Sequence, residues 1–494
     1  MVNGEMLKGR KVGDAGVAAF LGVPFAASPV GELRWRAPQP YQPQSASRDA
    51  GKFAPACMQT MRIVDWYRDL AELSGADRSV VPDLEISEDC LYLNIWSPAM
   101  DPEATLPVMV YVHGGSNRSG WPYEPNYHGQ ELARQGIVVV SVAYRLGDFG
   151  FFAHPDLDTD RAVANFALWD LLAALEWIQA HIGTFGGDAG NVTLFGESAG
   201  AANIVALMLS GRADALFHGT ILQSTAGFGL AGIGTLDDER RRGLDLAAVS
   251  TASPLSIEEL RRMPATQLLE RSEAQRGDYY HAPVIDGELL DAPVAAKLAA
   301  GEFKLRPLII GTNRNEWLTS VPGDADREYL EAQARELFGE RFAVALAALE
   351  PATDARRAAD RLITAARMLC PSQYLAEAVS AGGADVWMYW FSRQREGAIG
   401  EQWGAYHGTE LAYTFGTHDA WVNTTATDLG ITEDAMSYWA RFAASGDPNG
   451  GATVSWPSYA SPDFPVLQID SPPGPIERPD AALCRIYKNK LLQQ

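Results

Sequence analysis

Positive charge is what this 494-residue sequence most lacks: 40 lysines and arginines stand against 62 aspartates and glutamates, a formal net charge of −22. A surface of that sign repels phosphate backbones and anionic headgroups, so nucleic acid is not an expected partner. Long apolar runs are also missing. No stretch approaches the roughly 18 uninterrupted apolar residues that a membrane span needs, and the opening residues MVNGEMLKGRKVGD contain no apolar signal-peptide core. The expectation is a protein with no membrane span, either cytoplasmic or the mature form of an exported chain. Cysteine is sparse. Cys57, Cys90, Cys370 and Cys484 are too few for a disulfide scaffold, and their spacing fits no CxxC metal site. No metal and no cofactor is expected. Repeats, low-complexity tracts and long blocks of like charge are absent as well, so residues 1–494 read as a single domain.

What is present is a series of short apolar runs: PVMVYVHGG (107–115), GIVVVSVAY (136–144), NVTLFG (191–196), GTILQS (219–224), RPLIIGTN (306–313) and DVWMYWF (385–391). Runs apolar on both faces suit buried strands of a mostly parallel sheet. Between the second and third, Leu168, Leu171, Leu172, Leu175, Ile178 and Ile182 recur at helical spacing and predict a crossover helix with one sheet-packing stripe. Alternating strands and helices predict a doubly wound α/β fold. The region from about 235 to 380, rich in Ala, Arg, Glu and Leu, reads as mostly helical with one strand-like interruption. It is expected to form a cap-like insertion over the sheet's carboxyl edge, where active sites of this class are built.

NVTLFG runs directly into Gly196-Glu197-Ser198-Ala199-Gly200 and then into the helix-forming AANIVALML. GxSxG between a strand and a helix is the setting of a nucleophile elbow in an α/β-hydrolase fold. Glycines permit the sharp turn that lifts the Ser198 hydroxyl above the sheet. A serine hydroxyl is a weak nucleophile, so a base and an orienting acid must follow, in the chain order serine, acid, histidine. His218, His281, His407 and His418 lie downstream. His407 is favoured because Gly404 and Gly408 flank it in a loop able to bring it onto the serine; His281 is the alternative. Glu316, just past the strand-like LIIGTN, is the expected acid. His113-Gly114-Gly115-Ser116 closes the first strong strand, where a glycine-rich loop lets backbone N–H groups face a developing oxyanion.

These residues resemble the type-B carboxylesterases, a family that includes cholinesterases and bacterial carboxylesterases. FGGDAGNVTLFGESAG (185–200) is similar to the family's active-serine signature and EDCLYLNIWSP (88–98) to its second signature. Further likeness lies in FLGVPFAASPVGELRWRAPQP, SVAYRLGDFGFF, HAPVIDGELL, GTNRNEWL and GAYHGTELAYTFG, so the resemblance runs from about residue 4 to residue 490. It implies a carboxylic-ester hydrolase acting on small-molecule esters with a Ser198, Glu316, His407 triad. It also implies an oxyanion hole of the Gly115, Ser116 and Ala199 N–H groups, and a Cys57–Cys90 disulfide. That disulfide favours a secreted or periplasmic chain over a cytoplasmic one. Glu197 and Glu410 are expected to tune the site.

Three features, over four positions, depart from the family pattern. Ser116 replaces a third glycine, Asn117 and Arg118 stand where an aromatic residue is usual, and Trp317 follows the acid in place of glycine. Asn117, Arg118, Glu197 and Trp317 are therefore the expected substrate-pocket residues. Arg118 in particular allows two readings: a cation projecting into the pocket, with a preference for polar or anionic acyl groups, or an arginine turned to solvent or paired within this acidic protein. A non-catalytic binding protein is disfavoured because every triad member is present. Cleavage of amides or carbamates is the competing enzymatic reading.

Overall fold

All six apolar runs become strands of one sheet. The computed structural model describes the chain except for residues 1, 14–15, 159–162, 226–233, 250–252, 277–279, 350–352, 452, 461 and 492–494. Its large sheet has 11 strands. In chain order these are β1 (Arg10–Val12), β2 (Val17–Pro24), β3 (Tyr92–Ser97), β4 (Leu106–Val112), β5 (Val138–Val142), β6 (Gly187–Glu197), β7 (Gly219–Gln223), β8 (Leu308–Asn313), β9 (Val386–Phe391), β10 (Val466–Ile469) and β11 (Gly474–Ile476). Across the sheet they run β11-β10-β9-β8-β7-β6-β4-β5-β3-β2-β1. The span from β10 to β5 is parallel throughout, and antiparallel strands close both margins.

Strand periodicity explains why both faces are apolar. Val108, Val110 and Val112 of β4 enter one hydrophobic core, whereas Met109 and Tyr111 enter another on the opposite face. Each face is then covered by helices. The helices that matter below are α1 (Arg62–Leu73), α2 (Phe166–His181), α3 (Ala199–Leu209), α4 (Leu236–Ala247), α5 (Ile257–Arg262), α6 (Ala265–Arg276), α7 (Val294–Ala300), α8 (Arg327–Phe338), α9 (Phe342–Ala347), α10 (Ala355–Thr364), α11 (Cys370–Ala381) and α12 (Ala481–Leu491).

The crossover helix α2 differs from expectation in one respect. Besides the leucine stripe it buries Phe166, Trp169, Asp170, Ala174 and Trp177, so it is enclosed on almost every side. Asp170 is tolerated there because Arg145 pairs with it through Nε at 2.8 Å and Nη2 at 2.7 Å, and a buried charge without such a partner is strongly destabilising.

The segment from 235 to 380 is largely helical. Its strand β8 lies between β7 and β9 of the main sheet, and among its described residues Glu316, Trp317, Thr319, Ser320 and Met368 reach the cleft described below. Cys57 is bonded to Cys90 and Cys370 to Cys484, a second bridge for which the sequence offered no signal. Among the described residues no helix is long and apolar enough to cross a membrane.

Candidate active site

Parallel pairing places the loops after β4, β6, β7 and β8 at one edge of the sheet, and every expected active-site residue except His407 and Glu410 lies in or beside those loops. β6 ends at Glu197, and α3 begins at Ala199. Ser198 alone makes the turn, with φ 54° and ψ −123°, a region that a side chain adopts only under constraint. The neighbouring glycine is required by space: a Cβ on Gly200 would lie 2.1 Å from the Val112 carbonyl oxygen. The turn is further fixed by the Ser198 N–H, which donates to the Gln223 carbonyl at 2.9 Å.

Glu316 is fully buried below the cleft floor. Its Oε1 accepts from the Ser224 hydroxyl at 2.6 Å and from the Asn313 N–H at 2.7 Å. Its Oε2 lies 2.6 Å from His407 Nδ1. His281 is elsewhere. Its carbonyl accepts from Asn117 Nδ2 at 2.8 Å, and burial holds its imidazole well below the usual pKa, so the structure pairs His407 and not His281 with the acid.

His407 keeps 31% of its side-chain surface exposed, and its second nitrogen, Nε2, lies 3.1 Å from Glu197 Oε1. Both ring nitrogens therefore face carboxylates. Burial works against the charged ring, but Glu197 and then Glu316 outweigh it and raise the pKa of His407. Burial likewise raises Glu197 and Glu410. Glu410 sits beneath the histidine loop, accepting from Gln223 Nε2 and Asn313 Nδ2.

The loop after β4 presses on the nucleophile. A Cβ on Gly114 would stand 3.0 Å from Ser198 Cβ, so glycine here allows backbone to approach the reacting side chain. Gly115, Ser116 and Asn117 then take φ values of 99°, 60° and 56°. Together with Ser198, Glu316 and His407, Gly115 and Ser116 line a cleft of about 330 Å³.

Two expected pocket residues are not in it. Arg118 is turned away from the cleft, and its guanidinium pairs with Glu273 of α6. Asn117 is fully buried, exchanging hydrogen bonds with Asn203 of α3. The expected cationic pocket built on Arg118 is thus corrected: an acidic partner 155 residues away in sequence claims the charge. Glu197 and Trp317 do line the cleft. The Trp317 and His407 ring centroids lie 6.3 Å apart, and the Arg367 guanidinium lies 5.4 Å from the Trp317 ring centroid.

Three residues escaped sequence reasoning. Ser224, left as the last letter of an apolar run, binds the acid. Glu124 lines the cleft wall, accepting from the Tyr67 hydroxyl at 2.9 Å and the Trp121 N–H at 3.2 Å, and burial pushes its pKa up to about 7. Asp360 is buried and accepts from the Trp317 N–H at 3.0 Å and Asn315 Nδ2 at 2.8 Å, tying down the loop that carries Glu316. No local pattern marks these; each gains its place from a distant strand or helix.

Comparison with known proteins gives the family of the chain. A carboxylesterase family model matches residues 1–486. A fumonisin B1 esterase of Sphingopyxis macrogoltabida is 33% identical over 475 residues, covering 90% of this chain and 82% of the relative. The acetylcholinesterase of Bungarus fasciatus is 32% identical, covering 93% and 80%. Carboxylesterase 1C of Mus musculus is 32% identical, covering 90% and 83%. A solved structure of a PNB esterase superposes with a TM-score of 0.82 at 30% identity, covering 97% of each chain.

Proposed function

The chain belongs to the carboxylesterase family and is a serine carboxylesterase; from that premise we propose that Ser198 is its nucleophile, His407 its general base and acid, and Glu316 the orienting carboxylate. The observation that carries the assignment is the 2.6 Å contact of Glu316 Oε2 with His407 Nδ1, in a cleft shared with a serine held at φ 54°.

In this reading His407 Nε2 takes the Ser198 proton as Oγ attacks the ester carbonyl carbon. The carbonyl oxygen becomes an oxyanion, received by the N–H groups of Gly115, Ser116 and Ala199. Such donors are each worth about 2.7–4 kcal/mol of barrier. His407 then gives its proton to the departing alkoxide, and the alcohol leaves. Water enters, His407 removes its proton, and the acyl-enzyme is hydrolysed to the acid with Ser198 restored. Glu316 stabilises the imidazolium in both halves. The neutral imidazole is the working base, so Glu197, which favours the charged ring, sets the pH at which the cycle starts.

The substrates in this proposal are small-molecule esters. A preference for anionic acyl groups founded on Arg118 is not part of it, because Glu273 neutralises that guanidinium. Two disulfides with no free cysteine support an oxidising compartment, secreted or periplasmic.

The test is turnover of p-nitrophenyl acetate and butyrate, followed by labelling with a fluorophosphonate and mapping of the adduct by peptide mass spectrometry. Turnover with the adduct on Ser198 is expected. Turnover with an adduct on another residue, or no turnover and no adduct, defeats the assignment.

A further inference from the structure

The loop that presents the oxyanion donors is strained, and its strain has to be held from outside. Ser116 and Asn117 are consecutive non-glycine residues in the left-handed region, with φ 60° and 56°. A side chain in this region crowds the following carbonyl oxygen, so the conformation is disfavoured relative to ordinary backbone. Conformations of this kind persist only where the surroundings over-determine them.

Three anchors do so. The first lies inside the core: Asn117 Oδ1 accepts from Asn203 Nδ2 at 2.8 Å, and Asn117 Nδ2 donates to the His281 carbonyl at 2.8 Å. The second is backbone: the Gly147 N–H donates to the Asn117 carbonyl at 2.7 Å. The third is electrostatic. Arg118 Nε donates to Glu273 Oε1 at 3.1 Å, and Nη2 donates to Oε2, a two-pronged ion pair on α6.

Helix α6 is itself rigidly docked at this point. One residue before Glu273, the Ser272 hydroxyl donates to Asp148; one turn on, Arg276 pairs with both Asp148 and Glu239. Asp148 follows Gly147, whose N–H supplies the second anchor. The electrostatic and backbone anchors therefore converge on one buried network joining α6 to the oxyanion loop.

We infer that Arg118 and Glu273 form a positioning pair, which transmits the docking of α6 to the Ser116–Arg118 turn and so aims the Gly115 and Ser116 N–H groups at the oxyanion. The inference rests on the proposed role of those N–H groups. It gives the departure from the family pattern at Arg118 a function that no contact with substrate supplies. Loss of the pair leaves the core anchors in place, so the fold survives while the donors drift, and misplacement on the ångström scale is enough to slow chemistry.

The experiment compares wild type, Arg118→Gln, Glu273→Gln and the double variant, using p-nitrophenyl butyrate and the rate of fluorophosphonate labelling. Each single variant is expected to lower kcat about tenfold or more with KM changed by less than about twofold, because the lost interaction acts on the transition state. Labelling, which also builds charge on oxygen, should slow in parallel. The double variant should fall no further than the singles, the signature of two residues acting as one unit. A kcat for Glu273→Gln within about twofold of wild type, or a rise in KM with kcat and labelling unchanged, overturns the inference. So does a double variant whose losses multiply. Wild-type turnover with the adduct on Ser198 separates the two ideas: without it the assignment of function fails and takes this inference with it, whereas unchanged variants beside an active wild type defeat the inference alone.

Discussion

Glu197 Oε1 stands 3.1 Å from His407 Nε2, on the side of the ring opposite Glu316. In this resting arrangement the carboxylate beside the nucleophile faces the base. Charged Glu197 stabilises the imidazolium. The ring must lose that proton before it can accept one from Ser198, which makes Glu197 a control on the acid limb of activity.

Replacing Glu197 with Gln keeps the shape and removes the charge. The sign follows from the raised pKa of His407: less stabilisation of the imidazolium means deprotonation at lower pH. The acid limb of kcat/KM for p-nitrophenyl butyrate should move down by about one pH unit. A limb that stays in place means that the Glu197 contact is absent from the working enzyme.

Ser224 tests the acid rather than the base. Its hydroxyl donates to Glu316 Oε1 at 2.6 Å, leaving the Asn313 N–H as the other donor to that oxygen. Hydrogen bonds to charged groups contribute about 1.5–3 kcal/mol. Ser224→Ala should therefore lower kcat by about tenfold or more, leave KM for a neutral ester near wild type, and lower Tm only slightly. An unchanged kcat would show that the Asn313 N–H and His407 suffice to hold the carboxylate.

What could be read from the sequence was whatever is encoded locally. The six strands were legible because each is a short run apolar on both faces, and Ser198 because its glycines and flanking elements lie within a few residues. Chain order left four histidines downstream of the serine, among which flanking glycines and the family resemblance favoured His407 over His281, and the end of a strand-like run put Glu316 forward as the acid. Arg118 could not be placed from the sequence for a physical reason: a cation in a loop points wherever its counter-charge lies, and of the two readings the paired one holds, with Glu273 on a helix 155 residues away. Glu124, Asp360 and Ser224 were invisible because burial against distant elements, not neighbouring letters, gives them their chemistry. The helical stripe of α2 was real but incomplete, since a helix enclosed on nearly all sides has no polar face for periodicity to reveal.

The Cys370–Cys484 bridge makes a prediction about stability that is separate from activity. It ties α12 to α11 across 114 residues, and on the chain-entropy model such a loop contributes about 5 kcal/mol by restricting the unfolded chain. Neither cysteine lines the cleft. Replacing both cysteines with serine should lower the free energy of urea unfolding by several kcal/mol while kcat at 25 °C stays within about twofold of wild type. Loss of activity before loss of structure would mean that α11, which follows the Met368 turn at the cleft, depends on the bridge for its position.

Glu124 yields the last prediction, because it places a titrating group on the wall of the cleft near neutral pH. Burial pushes its pKa up to about 7, against the opposing hydrogen bonds from Tyr67 and Trp121. Below that value the group is neutral, and above it a negative charge appears in the same cleft as Glu197. An ester bearing a permanent positive charge should then bind more tightly as pH rises from about 6 to about 8, an anionic ester less tightly, and a neutral ester almost unchanged. Charge on the substrate is the only variable, so the ratio of KM values for matched cationic and neutral esters isolates the effect from the titration of His407, which both substrates share. Glu124→Gln removes the titration and should flatten that ratio across the range. If the wild-type ratio is already flat, Glu124 keeps one protonation state throughout and the Tyr67 and Trp121 hydrogen bonds outweigh its burial. If the variant keeps the wild-type slope, the titrating charge belongs to Glu197.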